Sequence, residues 1–125
     1  GAVAWPGLAP APDGPALPHE VARALAHAGS LAHAPYSGEP AAIVVRVADG
    51  RLFEGSVLES VAFNPTIGPA QDAAVALAAA GIPDQDVREA WLGTARDARV
   101  NHADSARDLL AAIAPGAPFH VRYWS

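Results

Sequence analysis

The run Ala41–Ala48, containing Ile43, Val44, Val45 and Val47, is β-branched and almost uninterrupted. A strand with one wet face alternates apolar and polar residues, whereas a continuous run belongs to a strand covered on both faces. This one segment therefore calls for a sheet with structure packed on each side of it. Asp49-Gly50 follows directly and reads as a two-residue hairpin turn, which makes Arg51–Ser56 the returning strand.

The flanking segments supply the covering layers. From His19 to about His33, Val21, Leu25 and Gly29 fall four apart, with Ala22 and Ala26 beside them and Glu20 in the first turn, where the helix dipole favours it. Ala34-Pro35-Tyr36-Ser37-Gly38 breaks that helix. Val57–Pro65 is irregular. An alanine-rich helix is expected from about Gly68 to Ala80, ending at Gly81. Val87–Thr94 reads as a third strand with Trp91 in the core, and a short turn or strand is expected near Ala98–Val100. Ser105–Ala114 has helical spacing with Asp104 as its N-cap. Pro115-Gly116 stops it, and Phe119–Trp124 alternates as a last strand, with Trp124 packed on the sheet edge or on a partner. The expected fold is a three-layer α/β/α sandwich around a mixed sheet of about five strands. Residues 19–125 form the domain, and Gly1–Pro18, rich in proline and alanine, forms an arm or linker.

Composition narrows the chemistry. The net charge is −5, and all eight basic residues are arginines. Without a concentrated basic patch the domain is a poor match for nucleic acid. No unbroken apolar run approaches the ~20 residues that span a bilayer, and residues 1–17 lack the basic start of a signal peptide, so a cytoplasmic, non-membrane protein is expected. The absence of cysteine removes disulfides, thiol nucleophiles and thiolate zinc sites. Of the five histidines, no two sit three or four apart on one helix, as a ligand pair would. His102 and Asp104 are the candidates for a replacement metal site; the simpler reading is a surface-loop histidine followed by a capping aspartate. Ser37, Ser56 and Ser60 lack the context of a hydrolase nucleophile, and Gly50 and Gly55 belong to a hairpin rather than a phosphate cradle.

The stretch His33–Gly81 carries a specific resemblance. It contains Ala34-Pro35-Tyr36-Ser37, the strand Ala41–Ala48, Asp49-Gly50-Arg51 and Glu54-Gly55-Ser56. It then runs Val57-Leu58-Glu59-Ser60-Val61-Ala62-Phe63-Asn64-Pro65-Thr66-Ile67-Gly68-Pro69-Ala70-Gln71. In order and spacing this resembles the cytidine deaminases, in which a Pro-Tyr-Ser helix end, an apolar hairpin and an Asn-x-Glu-Asn loop lead to a helix opening Cys-Ala-Glu or His-Ala-Glu. It looks most like the second, zinc-less domain of the two-domain homodimeric members.

The resemblance implies where the chemistry has gone. The family's first zinc ligand falls on Gly68 and its proton-shuttling glutamate on Ala70, while the Pro-Cys-x-x-Cys that completes the metal site has no counterpart in Ala98–Ser105. A zinc-activated hydroxide and a carboxylate are what deamination needs. The implied catalytic residues are therefore none, the implied metal none, and zinc is expected only in a catalytic partner domain. Glu59 keeps the family's ribose-binding position, although its asparagine partner is replaced by Val57. Phe63 occupies a position that reaches a neighbouring subunit, and Tyr36 and Ser37 are expected at an interface. The expected role is a degenerate domain that pairs as a homodimer, or with a catalytic cytidine deaminase domain, in pyrimidine salvage. The alternatives are a free-standing nucleoside-binding pseudoenzyme and a structural subunit of a larger assembly.

Overall fold

The computed structural model describes residues 17–30, 41–56, 68–95 and 102–124. The elements are α1 (His19–Ser30), β1 (Ala42–Val47), β2 (Leu52–Ser56), α2 (Pro69–Ala79), a 3-10 turn at Asp84–Asp86, β3 (Val87–Ala95), α3 (His102–Ile113) and β4 (Phe119–Trp124). Their order is the expected one. The described strands form one sheet in the order β2-β1-β3-β4. β1 runs antiparallel to both β2 and β3, and β3 runs parallel to β4 across the α3 crossover. The sheet is mixed as expected, with four described strands rather than about five; the strand expected near 98–100 lies outside the described residues.

β1 is the centre of the molecule, and its side chains divide between the two faces. Ile43, Val45 and Val47 join Ala73 and Leu77 of α2, Ala106 and Leu110 of α3, and Leu92 of β3. Ala42 and Val44 turn the other way, with Trp91, onto Val21, Leu25 and Ala28 of α1. Ile43 and Val44 are both fully buried, as the apolar run requires of a strand sandwiched between helices. Trp91 is 3% exposed, so its core placement holds. The Arg46 guanidinium lies 5.1 Å from the Trp91 ring centre, and His120 stacks on the same ring at 5.7 Å. Arg46 also bonds Glu20 of α1 at 2.8 Å. The α1 layer is thus fixed by apolar burial, with a polar clasp at its rim.

The hairpin differs from the expectation. Gly50 N–H donates to Val47 O and Val47 N–H to Arg51 O, which leaves three residues in the loop. A two-residue type I′ turn needs positive φ at both central positions. Here Gly50 has φ 91°, and among the described residues no residue other than glycine has positive φ. The Asp49 carboxylate accepts from the Arg51 backbone N–H at 2.9 Å and from its Nε at 2.7 Å. Those bonds hold Asp49 below the ordinary carboxylate range.

Ser56 joins the layers at the end of β2. Its hydroxyl donates to Ala28 O, 2.5 Å away in the last turn of α1, and its N–H donates to Asp72 Oδ2 of α2 at 2.9 Å. The Ala28 carbonyl has no partner within its own helix, as is usual for a last-turn carbonyl. Ser56→Ala removes this bond to a buried acceptor, and we expect a loss of about 1–2 kcal/mol. Thermal unfolding followed by far-UV circular dichroism measures it, and an unchanged midpoint would show that water takes over the carbonyl.

Candidate functional site

α2 and α3 lie on the same face of the sheet, and their amino ends meet. Gly68 is the N-cap of α2, in extended backbone (φ −77°, ψ 162°) and without a side chain to cap the helix. Pro69 follows at the first helical position, where its missing N–H costs nothing. The α3 side is provided by His102. A Cβ placed on Gly68 would lie 3.8 Å from His102 Nδ1. The fold therefore brings Gly68, Gln71 and His102 together.

Among the described residues, the side chains at that meeting point are those of Gln71 and His102. Gly68 offers no donor atom. The Gln71 amide lies over it, with Oε1 2.5 Å from the place of a Gly68 Cβ. Ala70, where the resemblance places the proton-shuttling glutamate, presents a methyl group that is 5% exposed and packed among Ile43, Ala73, Leu77 and Leu110. Zinc needs three or four nitrogen, sulfur or carboxylate ligands; the described side chains at this point are one imidazole and one carboxamide. Among the described residues there is no group of three His, Cys, Asp or Glu able to hold a metal ion.

Two expectations about this region are corrected. His102 is no surface-loop residue: it is the first residue of α3 and only 7% exposed. Asp104 is not the cap of that helix but an exposed member of its first turn, paired with Arg107 at 3.4 Å. His27 bonds Glu54 and His120 bonds Glu89, each at 2.7 Å, on other parts of the surface. Tyr36, Ser37, Glu59 and Phe63 lie outside the described residues, as does the Gly1–Ala16 part of the arm. The sequence gives no direct sign that Gln71 lies over Gly68 or that Gly55 meets α2. Gln71 sits one position past the implied glutamate, and that proximity was the available signal.

The architecture of this site is that of a sandwich in which two helix amino ends converge on one face of a mixed sheet. Residues 12–107 match the family model described as the cytidine and deoxycytidylate deaminase zinc-binding region, and the chain belongs to this family. Over 94 residues it is 35% identical to a cytidine deaminase of Enterobacter sp. (strain 638), a match covering 75% of this chain and 32% of the relative. The chain thus spans about a third of the curated relative's length. Among solved structures, cytidine deaminase from Burkholderia pseudomallei superposes with a TM-score of 0.64 at 19% identity, covering 74% of this chain and 73% of that one. Cytidine deaminase from Mycobacterium tuberculosis gives 0.61 at 19% identity, with 75% of each chain covered. These likenesses carry the fold. No described helix is long and apolar enough to cross a membrane.

Proposed function

We propose that this chain is a catalytically degenerate cytidine deaminase domain whose role is to pair with another copy or with a catalytic domain and help complete that partner's site. The observation that carries this reading is the emptied chemistry at a preserved meeting point. The amino ends of α2 and α3 still converge, yet Gly68 has no side chain and Ala70 is a core methyl. Attack on C4 of a pyrimidine needs a metal-activated hydroxide and a carboxylate that moves protons, and these two positions supply neither. The length of the curated relative fits the pairing role: this chain matches 32% of it, which leaves room for a catalytic domain elsewhere in such a protein. In this reading the partner holds the zinc. The degenerate domain acts by covering a partner face and ordering the loops that close over substrate.

The test is a cytidine deamination assay on the purified chain with added zinc, together with metal analysis and a light-scattering mass. We expect no turnover, substoichiometric zinc and a mass above that of the monomer. Stoichiometric zinc with turnover would overturn the claim of degeneracy. A strictly monomeric mass that also persists beside a catalytic deaminase domain would overturn the pairing role. Stabilisation against heat by cytidine or uridine would instead favour a nucleoside-binding function.

A further inference from the structure

We draw no further inference here: the strongest candidate, the uncharged outer face of α2 centred on the exposed Val75 and flanked by Gln71, Ala78 and Ala79, is a stripe of small residues on one helix, and nothing in the structure shows what covers it.

Discussion

Gly55→Ala is expected to lower stability by more than about 3 kcal/mol, above the usual range for overpacking, because the added methyl meets backbone rather than side chain. An ideal Cβ at Gly55 would lie 2.1 Å from Pro69 O, 2.6 Å from Ala73 N and 2.9 Å from Ala73 Cβ. No rotamer change relieves contacts of that kind. Either β2 must lift off the sheet or the first turn of α2 must move. β2 is held to β1 by the register from Ala42↔Ser56 to Arg46↔Leu52, and the Asp72 carboxylate ties the same strand end to α2. Both movements break hydrogen bonds whose groups are then left buried and unpaired. Gly50 and Gly81 provide the contrast. Both have positive φ, 91° and 73°, and neither has an atom within 4 Å of its ideal Cβ. Alanine there pays only the left-handed backbone penalty, roughly 1–2 kcal/mol. Urea denaturation of the three variants should rank Gly55→Ala far below the other two. A Gly55 variant within about 1 kcal/mol of the parent would mean that β2 and α2 sit further apart than described.

The contrast also marks how far the sequence could be read. The central strand was legible because burial on both faces leaves a composition that no half-exposed strand shares. The helices were legible wherever the buried stripe was made of aliphatic residues, as in Val21 and Leu25 of α1. The start of α3 was misplaced for a related reason. Its buried stripe is His102, Ala106 and Leu110, and a histidine at the head of the stripe does not register as apolar. Asp104 then looked like a cap when it lies inside the first turn. Asp49-Gly50 marks where the hairpin turns but not the length of its loop. Asp-Gly fits a two-residue turn, and only the backbone angles show that Gly50 alone takes the left-handed conformation.

The site shows the same division. That Gly68 and Ala70 cannot bind metal or move protons follows from their side chains and needed no structure. That His102 lies within reach of the Gly68 position depends on how α2 and α3 pack across the sheet, and nothing in local spacing encodes it. The close approach at Gly55 is also tertiary. A glycine in a strand can signal a bulge, a bend or a neighbour's backbone, and here the neighbour is the first turn of α2.

Ala70→Glu, which places a glutamate where the resemblance puts the family's proton shuttle, is expected to cost about 5 kcal/mol at neutral pH rather than to restore chemistry. One favourable effect opposes two unfavourable ones at this position. The positive amino end of α2 favours a carboxylate by roughly 0.3–1 kcal/mol, and by up to ~2 in a partly buried setting. Against this, Ala70 is 5% exposed within an apolar cluster, and an uncompensated buried charge costs about 3–5 kcal/mol. The added side-chain volume costs a further 1–3 kcal/mol in a packed core, which local rearrangement toward Gln71 partly offsets. Burial wins. Ala70→Gln separates the contributions, because it adds nearly the same volume without a charge and should be the more stable of the two at pH 7. A carboxyl forced into this environment has its pKa raised above the unfolded value. The folded variant therefore binds a proton more tightly than the unfolded chain, and the penalty, complete above the folded pKa, shrinks as pH falls through it. The gap between the Glu and Gln variants should accordingly narrow from pH 7 towards pH 5 in chemical denaturation. Equal stability at pH 7 would show that position 70 opens onto solvent, and the reading of Ala70 as a core residue would fall with it.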